Sequence, residues 1–424
     1  MFLKNIELYD YRGIKHLSID FKAGANLLVG VNGTGKSSIL DALAIMLSSF
    51  VRRIEGNESK SRKFIESDIA NDKLALMVSV GLHYNDQLIK WSIARKSSKK
   101  RYKPVADNTY YSDFKKLNLF VNHIVENVTT EINNDYVLPI AVYYDVHRAV
   151  IEPPMRVKNT NDTWILDVYE QALDQKSGAD FKGFFKWFRT LEDIENEKIR
   201  DDGNYRDKQL NTVRKAIESF IPEFKKLRIR RSPLRMTVEK NGKEFNIKQL
   251  SDGEKCLLAM VGDIARRLAM ANPKSENSLN GKGIILIDEI DLHLHPSWQR
   301  MVVERLITTF PNCQFILSTH SPQIISHVKP DSIWLLNNMD NDIDAIQPSF
   351  SFGLDSNLIL ESVMGVPERE NSIKTKLKQL FNYIAEGDYE MAEKIIVNIK
   401  NESGDIPELD RANALIKRKR LLGK

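Results

Sequence analysis

The octapeptide Gly30-Val31-Asn32-Gly33-Thr34-Gly35-Lys36-Ser37 constrains this chain more than any other feature. Its G-x-x-x-x-G-K-S spacing needs a strand before it and a helix after it. The glycines must curl the backbone so that successive N–H groups face one anion, and the helix N-terminus adds positive potential there. The flanks meet that need: residues 21–29 are partly apolar, and residues 38–47 (SILDALAIML) carry apolar side chains at helical spacing. In this context Lys36 is expected to pair with the β- and γ-phosphates of a nucleoside triphosphate and Ser37 to ligate Mg²⁺, with Asn32, Gly33, Gly35 and Ser38 completing the cradle. A glycine turn that merely ends in Gly-Lys-Ser is the competing reading, and the flanking pattern weighs against it.

A length of 424 residues allows two or more structural units, and 42% hydrophobic with 28% charged residues is ordinary for a soluble globular protein. No apolar run is long enough to span a bilayer, and the first residues alternate like a strand rather than a signal peptide. Cys256 and Cys313 both lie in apolar surroundings and read as buried thiols, which suits a cytoplasmic location without a membrane partner. The net charge of +5 permits a nucleic-acid partner without demanding one. Basic residues cluster at 95–103, 225–235 and 417–420; Arg228 and Arg230 alternate with Leu227 and Ile229, which puts both on one face of a strand.

Along the chain, residues 75–84 and 87–94 read as a hairpin across Asn85-Asp86, and 137–144 as a short buried strand. Helical spacing covers 162–197 and 205–220, followed by two or three short strands up to Ile247 and an amphipathic helix at 256–270. Apolar strands at 283–287 and 314–317 alternate with a helix at 296–308, the pattern of a parallel sheet. Residues 338–351 read as a polar loop, and three helices follow at 373–385, 389–400 and 407–421.

Three further motifs carry chemistry. The apolar run 284–287 ends in Asp288 and Glu289: the first carboxylate suits Mg²⁺, and the second suits orienting and deprotonating an attacking water. Leu250-Ser251-Asp252-Gly253-Glu254-Lys255 offers a hydroxyl and free N–H groups at a helix N-terminus, and Ser251 with Glu254 also makes a good capping box. His320 follows the apolar run 315–317. His293 and His295 alternate as metal ligands can, but no third ligand is evident.

Together, and in this order, the motifs resemble the ABC-type ATPase heads of the SMC and RecF class over roughly residues 1–336. The resemblance implies an α/β fold: a mixed sheet with a parallel P-loop core and a helical insertion at about 155–222 within a head spanning 1–345. A helical, partner-binding extension would occupy 346–424. It implies that His320 contacts the γ-phosphate, that Arg12 in Tyr11-Arg12-Gly13-Ile14 reaches the phosphates, and that residues 291–296 communicate across a dimer. Ser251 and Gly253 would act on the nucleotide of a second subunit, giving a homodimer or a higher oligomer built from dimers. The chain departs from the pattern in lacking a Q-loop glutamine. His147 and Arg148 are the nearest equivalents, and the acidic Asp252 and Glu254 point to slow or conditional hydrolysis. Roughly 210 residues without sustained heptads separate the phosphate loop from Ser251, which excludes long coiled-coil arms.

A narrower resemblance rests on VYYDVHRAV, FFKWFRTLEDIENE, LSDGEKCLLAMVGDIARRLAMANP and FGLDSNLILESVMGVPERE. These look like the ATPase subunits of Septu anti-phage systems, also found beside some retrons. That resemblance implies a separate HNH nuclease subunit as partner, with nucleic acid reached through the complex. A RecF-like repair ATPase binding DNA without a nuclease is the alternative, to which Arg228 and Arg230 would contribute. Fewer than about 90 residues follow the head, without the acidic pattern of a Toprim nuclease, and the absent Q-loop argues against a transporter ATPase.

Overall fold

A computed structural model describes every residue except 99–109, 131–136, 147–164, 175–178, 340–341, 366, 368 and 423–424. The chain opens with β1 (Phe2–Tyr11) and β2 (Ile14–Asp20), then enters β3 (Ala25–Val29), the phosphate loop and α1 (Lys36–Ile54). Next come β4 (Ala75–Tyr84), β5 (Gln87–Lys96), α2 (Lys115–Thr130) and β6 (Ile140–Tyr144). Helices α3 (Phe181–Asp201) and α4 (Lys208–Phe220) precede the strands β7 (Phe224–Arg231), β8 (Leu234–Lys240) and β9 (Lys243–Asn246). Then follow α5 (Asp252–Ala271), β10 (Gly283–Ile287), α6 (Pro296–Thr309), β11 (Cys313–Thr319) and the short α7 (Pro322–Ile325). Strands β12 (Ile333–Met339) and β13 (Asp342–Ile346) come last in this part.

The strands form three sheets. An antiparallel one has the order β2-β1-β4-β5, a six-stranded one β13-β12-β3-β11-β10-β6, and a small one β7-β8-β9. In the six-stranded sheet β12, β3, β11, β10 and β6 are parallel and only β13 is antiparallel. Every residue of β3, β6, β10 and β11 is buried, as expected where helices cover both faces of a parallel sheet. Parallel register brings Val29, Thr319, Ile287 and Tyr144 to one edge, so the residues that follow each strand gather there.

Two sequence expectations need correction. Residues 338–351 are not all loop, because β13 lies within them and pairs with β12. This short edge strand alternates Asp342 and Asp344 with Ile343 and Ala345 inside a polar stretch, and aspartate is depleted in strands, which hides it from a reading by composition. The helical spacing at 162–197 resolves, among the described residues, into a 3-10 turn at Ile165–Tyr169 and α3, which starts at the N-cap Asp180.

The chain divides into two compact units, Met1–Leu354 and Asp355–Lys424. The second contains a short α8 (Ser356–Leu358), then α9 (Asn371–Glu386), α10 (Tyr389–Ser403) and α11 (Pro407–Leu422). It has its own core, with Leu380, Ile384, Ala392, Ile399, Leu409 and Ala412 buried together. Among the described residues no helix is long and apolar enough to cross a membrane.

Candidate nucleotide site

The phosphate loop leaves β3 at the carboxyl edge of the parallel sheet. Gly33 and Gly35 adopt φ of 86° and 87°, which other residues reach only with strain. Gly30 is needed for space: a Cβ there would lie 2.5 Å from Thr34 Oγ1 and 2.7 Å from the Leu336 carbonyl oxygen. A Cβ on Gly35 would meet Ile343 Cδ1 at 2.8 Å, so the edge strand β13 packs directly on the loop. Asn32, Gly33 and Ser37 are exposed, and nothing lies within 4 Å of a Cβ built on Gly33, so the cradle opens outward. Lys36 is buried and donates from Nζ to the carbonyls of Gly30 at 2.7 Å and Val31 at 3.0 Å. Burial lowers its pKa, while Asp288, Glu289 and Asp291 oppose that shift. Those three carboxylates therefore share a neighbourhood with the lysine.

Asp288 and Glu289 leave β10 beside it. Ser318 on β11 donates its hydroxyl to Asp288 Oδ1, and the same Oγ accepts from the Glu289 N–H at 2.7 Å. Glu289 is held at φ 46°, a strained value that turns it away from the strand direction. Thr319 Oγ1 donates to Asp291 Oδ1 at 2.5 Å, and the other carboxylate oxygen of Asp291 lies 3.4 Å from His320 Nε2. His320 itself is exposed beyond the sheet edge. Lys36, Ser37, Asp288, Glu289 and His320 thus come from three neighbouring parallel strands and converge on one edge.

Arg12 sits in the β1–β2 turn at φ 52°. Its guanidinium donates to Asp68 at 2.9 Å, to Asp41 at 2.7 Å and to Ser38 Oγ at 3.3 Å, so it contacts the loop's own helix. The second Asp41 oxygen accepts from Arg62 at 2.7 Å. Arg148 and His147 lie outside the described residues. Tyr143, on β6, is buried; burial raises its pKa, and Asp288, Asp41 and Asp145 add to the shift, so the phenol stays protonated. Ser318, Asp41, Arg62, Tyr143 and Ile343 carry no motif signal. Only the inward position of Ser318 two residues before His320 could have marked it.

Ser251 and Gly253 lie elsewhere, in a cleft of about 550 Å³ with Glu223, Lys240, His293 and Trp298. Ser251 caps α5 by accepting at Oγ from the Glu254 N–H at 3.4 Å, and its own N–H and Oγ donate to Glu254 Oε2 at 2.9 and 2.8 Å. The acids of this motif are ion-paired, Asp252 with Lys255 at 3.1 Å and Glu254 with Lys240 at 2.6 Å. Burial would raise the Glu254 pKa, but the Lys240 and Ser251 hydrogen bonds outweigh it and hold it below its ordinary value. A Cβ on Gly253 would stand 2.5 Å from the His293 carbonyl oxygen, so glycine is required for this approach. None of the cleft's described lining residues belongs to the phosphate loop. Among the described residues no group of three metal-ligating side chains occurs, and His293 with His295 forms none.

Comparison with known proteins is consistent with this geometry. A family model described as "AAA ATPase domain" matches residues 1–143. Another, "AAA domain, putative AbiEii toxin, Type IV TA system", matches residues 156–326. The Escherichia coli protein named "Retron Ec83 probable ATPase" is 32% identical over 439 residues, covering 88% of this chain and 78% of that protein. "Retron Vc95 probable ATPase" of Vibrio cholerae serotype O1 biovar El Tor is 31% identical over 82% of this chain and 76% of its own length. "Septu protein PtuA" of Bacillus mycoides (strain KBAB4) is 27% identical over 76% of this chain and 38% of its own length. With its phosphate loop, carboxylate strand and sheet order in place, this chain belongs to the family of ABC-type ATPases that includes the retron Ec83 and Vc95 ATPases.

Proposed function

We propose that this ATPase is the regulatory subunit of an anti-phage defence complex, in which ATP joins two heads and the joined state controls a partner HNH nuclease. The observation that supports this reading is that the cleft holding Ser251 and Gly253 shares no described lining residue with the phosphate loop, as a site completed by a second subunit would require. In the joined state Lys36, Asn32, Gly33, Gly35 and Ser38 of one head bind the phosphates, and Ser251 and Gly253 of the other close the site. The hard oxygen donors of Ser37 and Asp288 fit Mg²⁺, which when bound neutralises phosphate charge. Glu289 orients and deprotonates the attacking water, and His320, braced by Asp291, meets the γ-phosphate. Arg12 reaches the phosphates only by leaving Asp41 and Asp68. The Septu similarity supports the nuclease partner, and two free buried cysteines suit the cytoplasm. The unit Asp355–Lys424 is the surface offered to that partner.

The RecF-like alternative is weaker, because Glu244 neutralises part of the basic face: it pairs with Arg230 at 2.5 Å and lies 3.9 Å from Arg228. Mass measurement of Glu289→Gln with and without ATP tests the switch. The expected result is ATP-dependent association that Ser251→Arg abolishes; an unchanged mass with ATP sinks it.

A further inference from the structure

A second pocket, of about 270 Å³, lies where the end of α1, the segment 58–64 and the edge strand β5 meet. It shares no lining residue with the phosphate loop or with the Ser251 cleft. Arg53, Arg62, Lys63 and Arg95 line it, and Glu58 is the sole carboxylate among its described lining residues. Arg53 is ion-paired to Glu58 at 3.1 Å, and Arg62 to Asp41 at 2.7 Å. Lys63 and Arg95 are exposed and make no ion pair among the described residues. Ser61 Oγ is buried without a hydrogen-bond partner there, whereas buried hydroxyls are as a rule satisfied. The Arg53 guanidinium lies over the Phe114 ring at 4.0 Å, which gives the pocket an apolar side. Burial lowers the Arg53 pKa, with Glu58 opposing, so additional negative charge beside it is stabilising.

We propose that this pocket binds a phosphoryl group of a ligand distinct from the ATP of the phosphate loop. Lys63 and Arg95 supply the unpaired charge, Arg53 and Arg62 the guanidinium walls, and Ser61 a hydroxyl donor. The volume accommodates one phosphate with its sugar rather than a duplex, so the source is a free nucleotide or one position of a single strand. Arg62 also connects the pocket to the nucleotide side, since Asp41 is shared between Arg62 and Arg12. Two side chains, Arg62 and Asp41, therefore separate the ligand from Arg12.

The test uses the full chain with its phosphate loop saturated by ADP. Thymidine 5′-monophosphate is titrated by calorimetry and a short fluorescein-labelled single-stranded DNA by anisotropy. The double variant Lys63→Ala, Arg95→Ala removes two exposed side chains that pair with nothing described, and thermal melting checks that its fold is kept. A probe is expected to bind the wild type, with Kd raised about tenfold or more in the double variant and a fewfold in Ser61→Ala. Preference for the monophosphate assigns a free nucleotide, and preference for the DNA assigns a strand. Binding of neither probe, or equal binding by the wild type and the double variant, overturns the proposal.

Discussion

At the scale of single residues, Gly35 combines a left-handed backbone, φ 87°, with a close approach to Ile343. Its left-handed φ was implicit in the loop spacing, but its contact with Ile343 was not, because that pair is joined only through a polar edge strand. Any side chain at Gly35 meets two costs: about 1–2 kcal/mol for the left-handed backbone, and the clash with Ile343. Gly35→Ala is therefore expected to weaken nucleotide binding about tenfold or more. Ile343→Ala in the same chain should recover the packing part and leave the backbone part. Titration of a fluorescent ATP analogue into the wild type, both single variants and the double variant separates the two. Full recovery would mean that backbone strain contributes nothing.

At the scale of elements, α5 was legible as a helix but not as a buried one. Its residues Cys256–Ala271 are all buried, including Asp263, Arg266 and Arg267. Three charges so enclosed must satisfy each other. Asp263 accepts from Arg266 at 2.6 Å, Arg267 at 2.9 Å and the Tyr144 hydroxyl at 2.9 Å. Tyr144 in turn accepts at its carbonyl from the Asp288 N–H at 2.9 Å, so the helix that starts at Ser251 is tied to the strand edge that holds Asp288. Asp263→Ala should destabilise the head by about 3–5 kcal/mol in urea unfolding, and Tyr144→Phe by about 1 kcal/mol. Burial would raise the Asp263 pKa, but Arg267 and Arg266 outweigh it and leave the carboxyl below its ordinary value. A depressed folded pKa gives stability that is present above the unfolded value, near 4, and lost as pH falls through the folded one. Acid unfolding below about pH 4 should accordingly be less steep in Asp263→Asn than in the wild type. The spacing of Asp263, Arg266 and Arg267 on one helix made their pairing readable, but the link to Tyr144 was not, because Tyr144 and Asp263 are separated by 119 residues. The strands of the parallel sheet were readable, since burial on both faces leaves unbroken apolar runs.

At the scale of the whole molecule, the C-terminal helices were legible from their spacing and from the glycines that end them, Gly387 and Gly404, both at positive φ. Among the described residues their core is built from their own side chains, so a fragment of residues 355–424 should fold alone. Circular dichroism should give a helical spectrum with a cooperative melt; a featureless melt would show that this unit needs the head. The attachment of its chain to the head has a mechanical consequence. Ser351 Oγ donates to the Val328 carbonyl at 2.7 Å, and the Gly353 N–H donates to that of Ser326 at 2.8 Å. Ser326 is six positions beyond His320 (326 − 320 = 6), just past α7. Tension applied along the tether of the C-terminal unit is thus first borne by the segment behind the histidine, before it reaches β13 and Gly35.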